Sequence, residues 1–600
     1  MRIFKLMGSM KKYIFIMIIF SISQVFCELY LPTLMSEIID SGITSGNISF
    51  IAKEAIVMLI TTAICLISHI LVVYSTAKFS NNLGYKIRKE LYSKINTFSK
   101  REIDKFGAAT LITRSTNNVS NITSTFSFGL RLIIFAPVMG IGAAIMGYKT
   151  APSLAPIVLY AVIILLICLL TIFILVFPKF EVLQKLLDKL NASSREILSG
   201  LRVIKAFNKQ DYFKKRFDKV NTDNMKLNIF LNKILYLIQP LMVLIIDVAT
   251  IIIIYVSIDY INTGTIEIGA MMAFIQYMAT VLMSFSMLLV IILNIPRVVV
   301  SFKRINEVLS TDVSIENIGK IKLTSLESIE FKNVCFRYDK AKEDVLKNIS
   351  FRVEKGENIG IIGSSASGKT TIINLLLRHI DATSGEILIN GINITEYDLE
   401  SLRSIFAYTP QKTLLFKGSI KENLVFDKNI NKNVLDSVME DAEIKDFIDK
   451  NTEGYDFKLE QAAVNLSGGQ KQRMSIARAL LSGGECLLFD DSFSAVDYIT
   501  DKKIRKSIAK NYSDKMVILV TQRVGTIRDS DKIIVIDEGR VESIGNYDEL
   551  ANNSKVFREF IESQKREVLS WKGKIINHQL LKRWLLKQLV LLRVIEILIY

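Results

Sequence analysis

The stretch that decides the fold of the C-terminal half is Gly363-Ser-Ser-Ala-Ser-Gly-Lys-Thr370. The apolar residues 358–362 before it predict a β-strand, and residues 371–379 after it predict an α-helix. Between a strand and a helix, a glycine-rich loop lets backbone N–H groups surround a phosphate. We therefore expect the loop and the residue after it to bind a nucleotide: Gly363, Ser364, Ser365, Ala366, Ser367, Gly368, Lys369, Thr370 and Thr371.

An acidic pair further along the chain suits the same site. The apolar run Cys486–Phe489 ends at Asp490 and Asp491. Taken alone, two acids after a strand are more typical of a turn. Where the chain also contains a phosphate loop, however, an acid at the end of a buried strand is suited to hold Mg²⁺ together with the hydroxyl of Thr370. The sequence therefore predicts a magnesium site with Asp490 and Thr370 as ligands.

The N-terminal half is dominated by long apolar runs. Each is near or above the ~20 residues that a helix needs to cross a ~30 Å hydrocarbon core, and a buried helix of a soluble protein would be shorter. The first run lacks a convincing cleavage site, so we interpret it as a retained helix. The runs predict six transmembrane helices at Tyr13–Leu34, Ile51–Tyr74, Leu130–Tyr148, Ile157–Phe177, Ile234–Ile258 and Ile266–Ile295.

The distribution of charge explains the formal net charge of +16. The connections over 78–121 and 179–233 are rich in Lys and Arg, whereas those over 32–50 and 257–268 contain neither. This alternation is the positive-inside pattern, which predicts that both chain ends lie on the cytoplasmic side of the plasma membrane. It accounts for the basic composition without a nucleic-acid partner. The five scattered cysteines argue against a disulfide framework or a zinc site.

The motif Leu466-Ser-Gly-Gly-Gln470 is the most specific in the chain, and Lys471–Leu480 extends it. Together with the phosphate loop and the six apolar runs, it makes the chain resemble the ATP-binding cassette (ABC) transporters. The resemblance is to a half-size exporter, with one membrane domain fused to one nucleotide domain, and it covers residues 13–564. It implies that ATP and Mg²⁺ are the cofactors.

The resemblance also implies roles for single residues. Tyr338 matches the aromatic residue that stacks on adenine, and Gln411 matches the Q-loop glutamine, which contacts the metal. Residues 494–497 match the D-loop. In this family two nucleotide domains dimerise head to tail, so the signature acts on ATP held by a second half-transporter subunit. The signature residues are Leu466, Ser467, Gly468, Gly469 and Gln470.

Two positions depart from the family pattern, and both are catalytic. The family places Glu after the magnesium-linked Asp, where this chain has Asp491, and His in the switch loop, where this chain has Gln522. Asp is one methylene shorter than Glu, and Gln carries neither a mobile proton nor a positive charge. We therefore expect a weakly hydrolysing site in one half of a heterodimer. The alternatives are a slow homodimer and an ATP-gated regulator or channel on the same scaffold.

The expected fold class is an α-helical membrane domain with six transmembrane helices, fused to an α/β nucleotide-binding domain of the P-loop type. Residues 1–310 form the transmembrane domain with long cytoplasmic helical loops, 311–328 a linker and 329–565 the ATP-binding cassette domain. Residues 566–600 form a basic and apolar tail. The tail is either an interfacial helix or an extension without a selected role, and we favour the second.

Several polar residues lie within the predicted spans. An ionisable side chain inside a membrane is unfavourable, so each is a candidate for the path of a small amphipathic substrate through the lipid bilayer. The alternative for each is a structural hydrogen bond between helices. These residues are Glu28, His69, Arg131, Gln239, Asp247 and Gln276.

Overall fold

The computed structural model describes residues 7–8, 10–339 and 341–565. The predicted tail over 566–600 lies outside the described residues. The chain divides into two compact units. The first holds the residues up to Thr97 and Phe106–Asp312, and the second holds Phe98–Lys105 and the chain from Val313 onward. The short segment Phe98–Lys105 thus groups with the C-terminal unit, so a single boundary along the chain does not separate the two units.

The N-terminal half consists of helices because its apolar residues run through whole turns without glycine or proline clusters. Short π-helical turns at Ile38–Ile43 and Arg114–Asn118 and a 3₁₀ turn at Pro152–Leu154 connect some of them. The α-helices are α1 (Lys11–Glu37), α2 (Ile48–Asn96), α3 (Lys100–Phe106), α4 (Ala108–Thr113), α5 (Val119–Thr150), α6 (Ala155–Ser199), α7 (Leu201–Ala206), α8 (Gln210–Tyr236), α9 (Ile238–Asn262) and α10 (Ile268–Ser310).

Within the described residues, six helical segments are long and apolar enough to cross a membrane. The prediction of six spans is confirmed. The helices extend well beyond the apolar runs, because the connecting residues continue the helical pattern. The segments are Lys11–Ile43, Ile48–Asn96, Ala108–Thr150, Pro152–Ser199, Gln210–Asn262 and Ile268–Leu288.

Polar contacts fix α1 against α10 inside the first unit. The hydroxyl of the buried Tyr277 donates to the backbone O of Leu29 at 2.9 Å. The carboxylate of Asp40 accepts from the backbone N atoms of Gly269 and Ala270, at 2.6 and 3.1 Å. An acid at this position satisfies N–H groups that the first turn of a helix leaves unpaired. Tyr277 therefore joins α10 to α1, and Asp40, in the π-helical turn that follows α1, holds the N-terminus of α10.

The second unit is built on two main sheets. A six-stranded sheet has the order β12-β11-β3-β10-β9-β6 and is parallel except for β12, and an antiparallel sheet has the order β2-β1-β4-β5. Strands β7 and β8 form a third, two-stranded sheet. The strands are β1 (Ser328–Phe336), β2 (Leu346–Glu354), β3 (Asn358–Gly363), β4 (Ser384–Ile389), β5 (Ile392–Asn393), β6 (Phe406–Thr409), β7 (Gly418–Ser419), β8 (Lys458–Leu459), β9 (Cys486–Asp490), β10 (Met516–Thr521), β11 (Lys532–Asp537) and β12 (Arg540–Gly545).

The parallel strands β3, β9 and β10 end at one edge of the sheet, which places the motifs that follow them side by side. Hydrophobic residues of the strands and helices pack on both faces of this sheet. The helices of the second unit are α11 (Lys369–Leu376), α12 (Leu399–Ser404), α13 (Ile420–Val425), α14 (Lys432–Asp441), α15 (Lys445–Lys450), α16 (Gly468–Ser482), α17 (Tyr498–Asn511), α18 (Tyr547–Asn553) and α19, residues 555–565.

Candidate nucleotide-binding site

A pocket of about 330 Å³ lies at the edge of the sheet where β3, β9 and β10 end. Most of the residues predicted to bind ATP and Mg²⁺ line it, and so do both residues that depart from the family pattern. The predicted Gly363 and Ser364 and the signature residues are not part of its lining. The lining consists of Tyr338, Val345, Ser365, Ala366, Ser367, Gly368, Lys369, Thr370, Thr371, Gln411, Asp490, Asp491, Val520 and Gln522.

The phosphate loop has the tight backbone that its glycines predict. Gly368 has a φ of +101°, and a Cβ atom there would lie 2.4 Å from a methyl group of Leu346. The buried ammonium group of Lys369 donates to the backbone O atoms of Gly363 and Ser364, at 2.9 and 2.6 Å. Burial lowers the pKa of Lys369, although the charges of the nearby carboxylates oppose this shift. A bound phosphate would add negative charge beside this ammonium group and stabilise its charged form.

The residues predicted to hold Mg²⁺ are suited to a cation. The hydroxyl of Thr370 donates to Oδ1 of Asp490 at 3.1 Å. The other oxygen of Asp490, Oδ2, is buried without a hydrogen-bond partner in the described chain. Burial raises the pKa of Asp490, and the charge of Asp491 adds to the shift. A divalent ion held by Thr370 and Asp490 would satisfy the unpaired oxygen and offset the burial of its charge.

Asp491 has an unusual backbone conformation beside this metal position. Its φ is +47°, which few residues other than glycine adopt, and its backbone N donates to the O of Val520 at 2.8 Å. Its Oδ2 accepts from Nε2 of Gln411 at 3.4 Å. The described contacts thus place Gln411 on Asp491, not on the predicted metal ligand Asp490. Burial raises the pKa of Asp491 above its ordinary value.

Gln522 lies after β10 with its side chain exposed and lining the pocket. The following residue, Arg523, donates to the backbone O of Ser494 at 2.6 Å, which ties this loop to the loop after Asp491. The two residues that replace the family's Glu and His therefore line one pocket. They lie on neighbouring loops at the ends of β9 and β10.

Tyr338, which follows β1, also lines the pocket. Its ring makes an edge-to-face contact with Phe336, with 4.8 Å between the ring centroids, and its hydroxyl lies 3.2 Å from the hydroxyl of Thr371. The residue remains 37% exposed, so a face of the ring is accessible for stacking. This arrangement suits the predicted contact with a nucleotide base.

The signature begins α16 and presents an exposed helix N-terminus. Ser467 is the N-cap: its hydroxyl accepts from the backbone N of Gln470, whose side chain accepts from the N of Ser467 in return. Leu466 is buried and anchors the loop, while Ser467 and Gly468 are exposed. Exposed N–H groups at the positive end of a helix dipole favour an anion. Within the chain, this feature is separate from the lining of the pocket.

Comparison with known proteins identifies the two halves of the chain. Residues 14–285 match the family model of the ABC transporter transmembrane region, and residues 346–494 match that of the ABC transporter. An uncharacterized ABC transporter ATP-binding protein of Mycobacterium tuberculosis is 32% identical over 544 residues, which are 90% of this chain and 93% of the relative. This chain belongs to the ABC transporters. It is a half-transporter, with one membrane region and one ATP-binding domain.

Other relatives match over a similar length. YfiB of Bacillus subtilis, also an uncharacterized ABC transporter ATP-binding protein, is 32% identical, covering 92% of this chain and 96% of the relative. A putative export ATP-binding/permease protein of Rickettsia felis is 29% identical over 94% of this chain and 98% of its own length. The solved structure of a bacterial Atm1-family ABC exporter with ATP bound superposes with a TM-score of 0.77 at 21% identity, over 93% and 98% of the two chains. The transporter therefore has the fold of an ABC exporter, as predicted, and is a multi-pass membrane protein.

The membrane unit of the transporter gathers three of the polar residues that the sequence singled out. Nε2 of the buried Gln24 donates to Glu28 at 2.7 Å and lies 3.2 Å from Nδ1 of His69. A guanidinium nitrogen of Arg131 lies 3.4 Å from the same Nδ1 atom. Helices α1, α2 and α5 thus share one polar cluster. The exposed Asp247 on α9 is not a member of it.

The same unit contains an apolar cavity of about 480 Å³ between α5, α6 and α10. Its lining is almost entirely apolar, and two of its hydroxyl groups are engaged within the helices: Tyr277 donates to the backbone O of Leu29 and Ser284 to the O of Thr280. None of the predicted intramembrane candidates lines this cavity. The helix pattern of the sequence does not show which three helices enclose such a cavity, because their packing is a tertiary feature.

Some residues of the nucleotide site carry no recognisable sequence signal. Val345 and Val520 line the pocket as ordinary strand-like valines. Gln564 contacts the loop of Gln522 although 42 residues separate them. These valines and this glutamine belong to no motif with a characteristic spacing, so the sequence alone does not identify them as site residues. Only the fold brings these residues to the site.

Proposed function

We propose that this chain is the weakly hydrolysing subunit of a heterodimeric ABC exporter in the plasma membrane, with its nucleotide domain and both chain ends on the cytoplasmic side. One observation carries the proposal. Asp491 and Gln522 occupy the two hydrolytic positions and line one pocket, whereas the signature at Ser467 is complete. A chain with one weakened and one intact half-site suits a partner with the opposite pattern.

The chain's own site would bind Mg-ATP but hydrolyse it slowly. Lys369 would bind the β- and γ-phosphates, and Thr370 and Asp490 would hold Mg²⁺. The ion would neutralise the phosphate charge. Asp491, with its shorter side chain, would hold an attacking water poorly, since a displacement of about 1 Å costs about 10²-fold in rate. Gln522 would contact the γ-phosphate as a neutral hydrogen-bond donor.

The signature would complete the second composite site. The hydroxyl of Ser467 and the N–H groups of Gly468 and Gly469 would contact the γ-phosphate of ATP held by the partner subunit. The catalytic Glu and His of that site would come from the partner. Turnover of the complex would therefore depend on this chain's signature more than on its own pocket.

The membrane unit is suited to transport a small amphipathic substrate of the multidrug, lipid or peptide-like class. The cavity between α5, α6 and α10 is lined almost entirely by apolar surface, which suits a mainly hydrophobic ligand. The direction of transport rests on similarity: the relative from Rickettsia felis is described as a putative export protein, and the fold is that of an exporter.

Restoring the two family residues tests the proposal. The double variant Asp491→Glu with Gln522→His should convert the chain, purified without a partner, from a slow to an active ATPase, with a gain of roughly tenfold or more. A matched control makes the same two exchanges at the exposed Asp514 and Gln461. ATP hydrolysis is measured with the full-length chain in lipid nanodiscs.

Each alternative predicts a different result. A slow homodimer would already show substrate-stimulated hydrolysis as the unmodified chain alone, without a partner subunit. A regulator or channel would show no substrate-stimulated hydrolysis even when the partner is present. Either result would contradict the proposed role.

A further inference from the structure

Gln564, on α19, contacts the backbone on both sides of the loop that presents Gln522. Its Nε2 donates to the backbone O of Gln522 at 2.7 Å, and its Oε1 accepts from the backbone N of Val524 at 2.9 Å. One side-chain amide thus makes the pair of hydrogen bonds that a neighbouring β-strand would make. The residue between these two contacts is Arg523.

We propose that Gln564 is a positioning residue for γ-phosphate recognition. It holds the loop so that the side chain of Gln522 faces the terminal phosphate of the bound nucleotide. The inference rests on the proposed function, in which Gln522 contacts the γ-phosphate. It adds a residue that lies outside the pocket lining and acts only through the backbone of the switch loop.

Gln564 is able to hold the loop because its own helix is fixed. Phe557 is fully buried, and Val556, Phe560 and Ile561 pack against the same hydrophobic core. At the start of α19, the hydroxyl of Ser554 accepts from the backbone N of Phe557 at 3.1 Å and donates to the carboxylate of Glu542 at 2.8 Å. A side chain on an anchored helix constrains a loop, whereas one on a loose terminus would follow it.

The other described hydrogen bonds of the loop do not engage the carbonyl of Gln522: the backbone N of Thr526 donates to the O of Arg523 at 3.1 Å, and that of Ile527 to the O of Val524 at 3.3 Å. The backbone N of Arg523 donates to Oγ1 of Thr521 at 3.1 Å, and its guanidinium group donates to the O of Ser494. These contacts orient Arg523. The side chain of Gln522 is exposed and makes no hydrogen bond within the described chain. Its direction is therefore set by its backbone, whose carbonyl Gln564 holds.

Loss of the Gln564 contacts should affect recognition of the γ-phosphate only. In the proposed function, most of the phosphate loop would contact the phosphates that ATP and ADP share, whereas the proposed contact of Gln522 is with the group that ADP lacks. Loss of the Gln564 contacts should weaken ATP binding and leave ADP binding unchanged. A general loss of stability would weaken both nucleotides alike, so the ratio of the two affinities separates positioning from folding.

The experiment measures that ratio on the full-length chain in nanodiscs with Mg²⁺. ATP or ADP competes with a photoreactive azido-ATP, and the label on this chain is quantified after gel separation. Gln564→Leu removes both hydrogen bonds, because leucine has neither a donor nor an acceptor in its side chain. It should lower the preference for ATP over ADP by about five- to tenfold, the value of one phosphate hydrogen bond. Glu559→Leu, on an exposed position of the same helix, is the matched control and should change nothing.

A second variant at the same position controls for misfolding. Gln564→Glu keeps the acceptor for Val524 N but places a carboxylate oxygen against the carbonyl of Gln522. It should reduce the ATP preference while ADP affinity shows that the domain is folded. The combination of Gln564→Leu with Gln522→Ala should lose no more than Gln522→Ala alone, because both changes act on one contact.

The outcomes separate this inference from the proposed function. If Gln522→Ala lowers the ATP preference and neither Gln564 variant does, the positioning role is wrong. Equal loss of ATP and ADP affinity in both Gln564 variants would also overturn it. If Gln522→Ala itself leaves the preference unchanged, the proposed role of the switch residue fails, and the inference fails with it.

Discussion

The nucleotide pocket and the signature helix of this transporter use the same phosphate chemistry, yet they differ in how complete they are. Both present N–H groups at the start of a helix, α11 in the pocket and α16 at the signature. The pocket has Asp491 and Gln522 where the family has Glu and His, while the signature retains every residue from Leu466 to Gln470. Binding groups are thus present in both regions, and the hydrolytic pair is altered in one.

The difference shows that binding and hydrolysis place separate demands on a site. In the proposed function, Lys369, Thr370 and Asp490 would bind the charged phosphates and the metal ion, through an ammonium group, a hydroxyl and a buried carboxylate. The hydrolytic pair would act on a water and a proton, where one methylene group or one titratable nitrogen decides the rate. A chain in which only the second set is altered retains the groups that bind ATP.

The largest expected effect lies at the signature. Ser467→Arg should lower ATP turnover of the purified complex by about 10²–10³-fold, the loss typical for one donor to a transition-state charge. Ser467 is exposed, so the substitution places a bulky cation where the partner-bound phosphate would lie without disturbing the core. The measurement is steady-state ATPase activity in nanodiscs.

The control for this variant is Ser513→Arg, which puts the same side chain on an exposed turn of the same unit. It should leave turnover unchanged. Full turnover in the Ser467→Arg complex would mean that the signature takes no part in hydrolysis, and the comparison between the two regions would lose its basis.

The next effect lies in the pocket. Lys369→Ala should weaken ATP binding to this chain by about 10–100-fold, because it removes a buried cation from the phosphate loop. Photolabelling of this chain with azido-ATP measures the loss, and Lys412→Ala, an exposed lysine, is the control. Undiminished labelling of the Lys369→Ala chain would contradict the assignment of the pocket.

A smaller effect on ATP binding is expected at Tyr338, which is predicted to stack on the adenine base. Tyr338→Ala should weaken ATP binding about five- to tenfold, near the lower limit for stacking because the ring is partly exposed. Tyr338→Phe keeps the ring and loses only the hydroxyl contact with Thr371, so it should bind ATP almost normally. Equal losses in both variants would mean that the hydroxyl, and not the stacking face, makes the contact.

The sequence predicted the elements whose chemistry is local. The phosphate loop needs glycines at fixed spacing between a strand and a helix, and the structure has β3 and α11 at those places. The six spans followed from length and apolarity alone. In both cases the residues that determine the structure are neighbours in the chain, so a local sequence pattern is enough to predict it.

Features that depend on contacts between distant segments could not be predicted in this way. Glu28, His69 and Arg131 are separate candidates in the sequence, but the packing of three helices places Glu28 and His69 beside Gln24 and Arg131 beside His69. The carboxylate of Glu102, in the short segment 98–105, accepts from the backbone N of Ser314, more than two hundred residues away. No periodicity encodes such pairs, because their register depends on the tertiary structure.

Asp491→Asn probes the pocket with a much smaller expected effect than Ser467→Arg. In a heterodimer, the variant should leave turnover of the complex within about twofold, since the site already hydrolyses poorly. Asp514→Asn, at an exposed position, is the control. A homodimer would carry both changes in every site. Equal and severe loss from Asp491→Asn and Ser467→Arg would therefore overturn the heterodimer and make Asp491 the catalytic base.

The smallest effect is on stability, and its sign follows from burial. Burial raises the pKa of Asp491 above its ordinary value of 3.8, opposed by the hydrogen bond from Gln411 and by nearby cations. A carboxyl group with a raised pKa holds its proton more tightly in the folded chain, so its ionisation lowers stability as pH rises from 3.8 through the folded pKa.

Asp491→Asn removes that ionisation, so it should raise the thermal midpoint of the nucleotide-free, magnesium-free protein at pH 7. The gain should be small, about 1–2 °C, because Asp491 is only partly buried and water screens its charge. It should shrink as pH is lowered toward the ordinary pKa, whereas the exposed Asp514→Asn control should show no such trend. Thermal unfolding at pH 7 and pH 5 measures both. A lower midpoint for Asp491→Asn at pH 7 would mean that the carboxylate stabilises the empty pocket, and the departure from the family's Glu would then serve folding as well as slow hydrolysis.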